Sequence, residues 1–253
     1  MSKLRLLPQR TTQIDGLTLN ASSQKYNFLV FGKRHCGRTN IFRKVAMDLL
    51  DKGEKVLYFG DLADVVNPGF FNHKRDLFFD HEMDGGVDWR EGKGAFSPKA
   101  WVAARTGGGL FVFGDIVNGN DAAGEFLDAM LLALCGRAET GRHIHVFVEN
   151  LHMLPKLKAL LPALFLNDMH GFSVWLSAPS SFLIENIYGE AGLKEIADNC
   201  SGVIATLIDR DTAEFVRDMC GDEMAGLEEL PPGKGAVYIR HRTSVEIQEV
   251  AVG

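Results

Sequence analysis

Several kinds of residue and motif are scarce in this sequence, and each of these absences argues against one class of protein. The 253 residues contain only four cysteines, and none of them forms the CxxC pair of a zinc or redox site. Scattered thiols are typical of a reducing compartment, so we expect a cytoplasmic protein whose cysteines serve packing. His143 and His145 alternate at the start of an apolar run, a spacing that is more typical of structural than of metal-binding histidines. We find no Ser-His-Asp order and no nucleophile elbow.

Long apolar runs and an excess of positive charge are also missing. No run approaches the roughly 20 apolar residues that a membrane helix needs. The N-terminal sequence MSKLRLLPQRTTQ has no signal-peptide core. The formal net charge is −6 and the isoelectric point is about 5.8. This negative net charge disfavours non-specific binding of nucleic acid over the whole protein surface, although a local basic pore would be compatible with it. We therefore expect a protein without a membrane span, for which DNA is a disfavoured partner.

The most informative stretch that is present runs from Asn27 to Asp61. An apolar run (28–31) enters a loop bounded by Gly32 and Gly37, and an amphipathic helix follows it. Lys52-Gly53 ends that helix, and a second apolar run (55–59) reads as a buried strand. Strand, GxxxxG loop, helix and strand form the layout of a phosphate-binding P-loop, in which backbone N–H groups surround phosphates.

The remainder of the chain predicts an α/β domain that spans residues 1–253. Short apolar strands alternate with helical patterns, which favours a mainly parallel central sheet flanked by helices on both faces. Residues 62–109 interrupt this alternation, and we predict an irregular excursion there, with one short helix capped by Ser97. The other expected strands are 17–19, 110–113, 144–148, 173–176, 203–208 and 236–239, and the other expected helices are 121–137, 155–165 and 211–220.

Several segments occur in the order used by one family. NPGFFNHKRDLFFDHEMDGGVDW, HIHVFVENLHML, DRDTAEFVRDMCGDE and LPPGKGAVYIRH resemble successive segments of the type IV secretion and conjugative coupling proteins, which are RecA-like DNA-pump ATPases of the FtsK/HerA type. The resemblance covers most of residues 17–250 and implies a RecA-like P-loop NTPase core. Members are usually membrane-anchored hexamers that pump DNA or protein. We expect this chain to lack the anchor and, between Trp89 and Leu110, the helical insert.

The resemblance also implies a nucleotide site. Gly32, Gly37, Arg38, Thr39 and Asn40 stand where the family binds the phosphates of ATP or ADP. Arg38 replaces the P-loop lysine, and its planar fork is bulkier than an ammonium group at a crowded turn. Two interpretations stay open for Arg38. It contacts the phosphates in an altered way, or it is an exposed cation above a loop that binds no nucleotide. Thr39 keeps the hydroxyl that Mg²⁺ would use, although it can equally cap the helix.

The catalytic positions implied by the resemblance depart from the family pattern. Glu149 occupies the position at which the family has its Mg²⁺-binding aspartate. Thr39 and Glu149 are therefore the candidate metal ligands. Asn150 replaces the catalytic glutamate and cannot act as a general base. Pro179 replaces the glutamine that senses the γ-phosphate and offers neither a polar side chain nor a backbone donor. Because Arg38 departs as well, we predict that hydrolysis has been lost.

Three functions follow from these residues. The first is a pseudo-ATPase that binds a conjugation or type IV secretion component, or a true coupling ATPase, and modulates or inhibits it. The second is an active, divergent ATPase that forms rings and translocates DNA or protein, with Glu149 or Asp115 replacing the lost carboxylate. The third is a P-loop kinase or small-molecule transferase with a pocket at the carboxyl ends of the strands.

Overall fold

A mainly parallel sheet organises the chain in the computed structural model. The structure describes residues 11–14, 17–20, 26–61, 77–80, 97–104, 108–114, 121–138, 142–221, 226–230, 234–240 and 245–251. The strands are β1 (Thr11–Ile14), β2 (Leu17–Asn20), β3 (Phe28–Phe31), β4 (Lys55–Asp61), β5 (Leu77–Asp80), β6 (Gly108–Gly114), β7 (Ile144–Val148), β8 (Phe172–Ala178), β9 (Gly202–Ala205), β10 (Lys234–Arg240) and β11 (Val245–Ala251). The helices are α1 (Arg38–Asp51), α2 (Pro98–Ala103), α3 (Asp121–Cys135), α4 (Leu160–His170), α5 (Ser181–Asp198) and α6 (Arg210–Cys220), and short 3₁₀ turns cover Leu151–Met153 and Leu227–Glu229.

Strand order places the P-loop strand, β3, in the interior of the sheet. The order is β11-β10-β9-β3-β8-β7-β4-β6-β5, and β1 and β2 form a separate antiparallel ribbon. Neighbouring strands from β9 to β5 run parallel, whereas β10 is antiparallel to both β9 and β11. Phe31 of β3 lies beside Ala178 of β8 and Ala205 of β9. The carboxyl ends of these strands therefore meet at one edge, where the P-loop begins.

Alternating residues of β3 divide the core into two layers. Leu29 and Phe31 belong to one apolar cluster, which includes residues of α2 to α6, and Phe28 and Val30 belong to the other, which includes the apolar face of α1. Burying one large apolar side chain stabilises a fold by about 1.5–3 kcal/mol, so both layers contribute to stability. The predicted sheet with helices on both faces is confirmed. Among the helices described, none combines the length and the apolar character needed to cross a membrane.

Helix α4 begins and ends later in the chain than the sequence predicts. The expected helix was 155–165, whereas α4 is Leu160–His170. Asp128 of α3 accepts hydrogen bonds from the backbone N–H groups of Lys158 at 3.0 Å and Ala159 at 2.9 Å, and thereby caps α4. The cap comes from a residue distant in the sequence, so no local pattern could have marked the true start.

The region predicted to be irregular contains more regular structure than expected. Strand β5 pairs in parallel with β6, and Leu77 lies opposite Leu110. Helix α2 forms as predicted, with the Ser97 hydroxyl accepting a hydrogen bond from the Ala100 N–H at 3.3 Å. Phe70, Phe71 and Trp89, three aromatic residues of this region, lie outside the described residues.

Candidate functional site

The P-loop lies between β3 and α1 at the carboxyl edge of the sheet. A Cβ atom on Gly32 would lie 1.8 Å from Oγ1 of Thr206, so only glycine fits there. Gly37 has a φ of 94°, in the left-handed region that glycine adopts without strain, and it directly precedes α1 without a side-chain cap. The Lys33 N–H donates to the carbonyl of Leu207 at 2.8 Å and fixes the loop to the next strand connection. These contacts fix the loop directly ahead of α1, and the N–H groups at a helix N-terminus are a general site for anions.

Arg38 extends over this loop. Its Cγ atom lies 3.0 Å from the position that a Cβ on Gly32 would occupy. The pKa of His152 is lowered to about 4, first by burial and then by the positive charge of Arg38. The Arg38 side chain therefore packs against Gly32, and its charge lies close enough to the 3₁₀ turn that follows β7 to affect His152.

Glu149 follows β7 and is enclosed, with an exposed fraction of only 1%. The Thr39 hydroxyl donates a hydrogen bond to Oε1 of Glu149. The Tyr58 hydroxyl donates to Oε2 of Glu149 at 2.9 Å. A Cβ on Gly60 would lie 2.9 Å from the same Oε2 atom, so the carboxylate fills the space above that glycine. The structure thus brings the two candidate metal ligands, Thr39 and Glu149, into direct contact.

Tyr58 is the residue of this site that the sequence analysis missed. It lies on β4 with an exposed fraction of 1%. Burial raises its pKa well above the usual range, and the negative charge of Glu149 raises the pKa further, while Arg43 opposes the shift. The phenol therefore remains a hydrogen-bond donor. Tyr58 carries the one hydroxyl group in the strand KVLYFGD. Because a buried tyrosine usually has a hydrogen-bond partner, this hydroxyl was the signal that could have indicated its role.

Asn150 and Pro179 lie at the same edge of the sheet, directly after Glu149 and after β8 respectively. Asn150 is in the left-handed region, with φ 54° and ψ 51°, and its N–H donates to the Ser177 hydroxyl at 3.2 Å. Pro179 follows β8 directly, and Asn40 is exposed on α1. An amide cannot take a proton from water, and proline has no donor for a phosphate oxygen.

Other candidate residues are placed away from this site or are not described. Asp115, the spare carboxylate of the active-ATPase hypothesis, lies outside the described residues. The ring Nδ1 of His145 is 3.0 Å from the Ser173 hydroxyl in the interior. Within the described ranges, no group of three or more His, Cys, Asp or Glu side chains is arranged to hold a metal ion.

Comparison with known proteins identifies the family. The family model described as the type IV secretion-system coupling protein DNA-binding domain matches residues 87–250, about two thirds of the chain. The chain belongs to this family. The sequence-based resemblance to the coupling proteins is therefore confirmed. No curated protein sequence was found to match at a significant level.

Several solved structures have the same fold as this chain. The unbound bacterial conjugative coupling protein TrwBdeltaN70 is 13% identical, with a TM-score of 0.80 over 98% of this chain and 89% of that one. The plasmid coupling protein TrwB in complex with ADP and Mg²⁺ is also 13% identical, with a TM-score of 0.81 over 98% and 89%. The genome packaging NTPase B204 from Sulfolobus turreted icosahedral virus 2, in complex with ATP-gammaS, is 10% identical, with a TM-score of 0.59 over 90% and 98%. The predicted RecA-like P-loop NTPase fold is confirmed.

Proposed function

We propose that this chain is a catalytically silent relative of the coupling ATPases. It acts by binding a component of a conjugation or type IV secretion system, or a true coupling ATPase, and by modulating or inhibiting it. Gly32, Gly37, Arg38, Thr39 and Asn40 bind the phosphates of ATP or ADP in this proposal. The left-handed conformation of Gly37 and the packing of the Arg38 side chain against Gly32 support such binding. TrwB, with the same fold, has been solved with ADP and Mg²⁺.

The observation that carries the proposal is the chemistry at the ends of β7 and β8. Hydrolysis needs a carboxylate that can orient or deprotonate the attacking water. Glu149 is buried and accepts hydrogen bonds from two hydroxyl groups, which leaves it badly placed for that role. Asn150 and Pro179 supply neither a base nor a phosphate sensor. Retention of the fold without these groups supports a function based on binding.

One observation favours a second candidate, an active and divergent ring-forming ATPase. Thr39 and Glu149 are in contact, as the two ligands of a P-loop magnesium ion would be. In that case Arg38 serves the phosphates, and another carboxylate replaces Asn150. Ring formation with nucleotide in solution would favour this candidate, because a translocating ATPase needs a closed assembly.

A hydrolysis assay on the purified full chain separates the two candidates. We expect phosphate release from ATP, with or without DNA, to equal that of a Thr39→Ala variant, because no described group is placed to activate water. Calorimetric titration of the same sample with ATP and ADP reports binding independently of turnover. DNA-stimulated hydrolysis that Thr39→Ala abolishes would overturn the proposal.

The partner is tested by adding the chain to a purified coupling ATPase from the same conjugation system. We expect a saturable change in that enzyme's hydrolysis rate or ring assembly, and co-elution of the two proteins. Heat-unfolded chain is the control for nonspecific effects. The proposal would be contradicted if no component of the system co-eluted with the chain and the chain changed no hydrolysis rate.

A further inference from the structure

His152 lies in the 3₁₀ turn that follows β7, shortly after Glu149 in the chain. Its side chain is half-buried, and its ring Nδ1 atom is buried. Within the part of the chain that the structure describes, no protein group forms a hydrogen bond with this Nδ1 atom. A buried polar atom without a partner is costly, and water, an ion or a ligand commonly supplies the missing bond. His152 therefore indicates that a polar ligand binds beside this turn.

Arg38 is the charged group that acts on the His152 ring. Burial, and then the positive charge of Arg38, lower the pKa of His152 to about 4, so the imidazole is neutral near pH 7. One terminal nitrogen of Arg38, Nη1, is buried as well. Two nitrogen-bearing side chains, one from the start of α1 and one from the turn after β7, thus come close together at the carboxyl edge of the sheet.

The other elements around the turn bring no further charge to His152. The turn packs against β8 and α5. Strand β8 contains no ionisable side chain, and the charged residues of α5 are all exposed. Tyr188 of α5 accepts a hydrogen bond from the Leu157 N–H, and Glu149 accepts hydrogen bonds from two hydroxyl groups. An anion that binds beside Arg38 would therefore meet the His152 ring without a competing carboxylate.

The terminal phosphate of a nucleotide is the anion that this place fits. In a P-loop the backbone N–H groups surround the inner phosphates, and the side chain at the position of Arg38 reaches the outer ones. A magnesium ion held by the loop hydroxyl and by a strand-end carboxylate bridges the two outermost phosphates. Thr39 and Glu149 are the corresponding residues, and they are in contact. The turn after Glu149 therefore adjoins the γ-phosphate end of the site.

We propose that His152 donates a hydrogen bond from its buried ring nitrogen to the γ-phosphate of ATP, beside Arg38, and that it thereby distinguishes ATP from ADP. A neutral imidazole carries one N–H donor, and a phosphate oxygen accepts it. This inference rests on the proposed function, in which the P-loop binds nucleotide. It is compatible with a magnesium ion at Thr39 and Glu149, and it gives the chain a γ-phosphate contact that Pro179 cannot provide.

The test compares the binding of ATP and ADP to the full chain, with Mg²⁺ at pH 7, by calorimetry. We expect His152→Ala to weaken ATP binding about tenfold and to leave ADP binding within about twofold, because only ATP has the third phosphate. His152→Asn should restore most of the ATP affinity, since its amide nitrogen is as far from Cβ as Nδ1 is. His170→Gln is the matched control, because this half-buried histidine ends α4 at the opposite edge of the sheet. It should bind both nucleotides as the unmodified chain does.

Nuclear magnetic resonance of the histidine rings provides a readout on the unmodified chain. The pKa of His152 should rise when ATP binds, because the negative phosphate offsets the charge of Arg38, and it should rise less with ADP. An unchanged ATP affinity in His152→Ala would overturn the inference. Equal losses for ATP and ADP, or a His152 pKa that ATP leaves unchanged, would overturn it as well.

Failure of the inference and failure of the proposed function have different signatures. If the unmodified chain binds nucleotide and the His152 readouts are negative, only the inference fails. If it binds neither ATP nor ADP, nucleotide binding by the P-loop is refuted and the role of His152 with it. Hydrolysis of ATP would refute catalytic silence and leave the His152 contact standing.

Discussion

Thr39 connects helix α1 to the end of β7 through its hydrogen bond to Glu149. Replacing Thr39 with alanine leaves one oxygen of a buried carboxylate without this donor. Such a loss costs about 1–3 kcal/mol, because the desolvated group no longer receives compensation. We expect Thr39→Ala to lower the free energy of unfolding by that amount, measured by urea denaturation without nucleotide.

Thr39→Ser is the control for this prediction because it keeps the hydroxyl and removes only a methyl group. It should retain most of the stability that alanine loses. If alanine and serine destabilise the chain equally, the hydroxyl makes no net contribution and the Glu149 contact is weaker than its geometry indicates.

The sequence predicted some residues of the candidate site and missed others for a physical reason. Gly37, Arg38 and Thr39 are consecutive residues at the end of the loop and the start of α1, so their spacing is recognisable, and Gly37 lies in the left-handed region that glycine adopts without strain. Tyr58 of β4 and Ser177 of β8 contact Glu149 and Asn150, which directly follow β7. Strand alignment decides such contacts, and a single sequence gives no alignment between strands.

Helix α5 contains a break whose cause is one glycine. Gly189 has φ 76° and ψ 166°, a conformation that other residues rarely adopt. A Cβ atom there would meet nothing within 4 Å, so backbone strain is the only expected penalty. We expect Gly189→Ala to lower the free energy of unfolding by about 1–3 kcal/mol, measured by urea denaturation.

Gly136→Ala provides the comparison because Gly136 follows α3 with no positive φ, and its Cβ would meet its nearest neighbour, the Leu132 carbonyl oxygen, at an ordinary 3.6 Å. That variant should be neutral or slightly stabilising. Equal stability of the two variants would show that α5 straightens at Gly189 without cost.

Elements were predicted well where their signals are local. Helix α1 begins after the P-loop glycine and ends at Lys52-Gly53, as its apolar spacing indicated. Helix α4 was misplaced because Asp128 of α3 provides its cap. Strand β5 was missed because its short run lies between polar residues, and pairing with β6 stabilises it.

At the scale of the whole molecule, the site depends on the parallel sheet. The P-loop, Tyr58, Glu149 and Ser177 come from four separate segments, and parallel pairing of β3, β8, β7 and β4 brings them to one edge. The family match covers 87–250 and does not include the P-loop. The agreement of the fold with TrwB extends over 98% of the chain and therefore includes the region of the loop.

Acid stability of the folded molecule should depend on His152, which is neutral in the folded state. Its pKa is about 4 in the fold, lowered mainly by burial and then by Arg38, against an ordinary value of 6.5. Between these values the unfolded chain binds more protons, so the free energy of unfolding falls as the pH decreases from 6.5 towards 4. His152→Gln lacks this titration and should lose less stability over the same range.

The measurement is urea denaturation of both proteins between pH 7 and pH 4, with the histidine resonances followed by NMR. The stability of the unmodified chain relative to His152→Gln should decline as the pH falls, and His152 should titrate near pH 4. Arg38→Gln is the accompanying variant, and it should raise the pKa of His152 because it removes the neighbouring positive charge. A pH-independent stability difference, or a His152 pKa that Arg38→Gln leaves unchanged, would contradict the proximity of the Arg38 charge to the turn after β7. Because Arg38 stands where P-loops have their lysine, this titration also tests where the charge of the candidate phosphate contact lies.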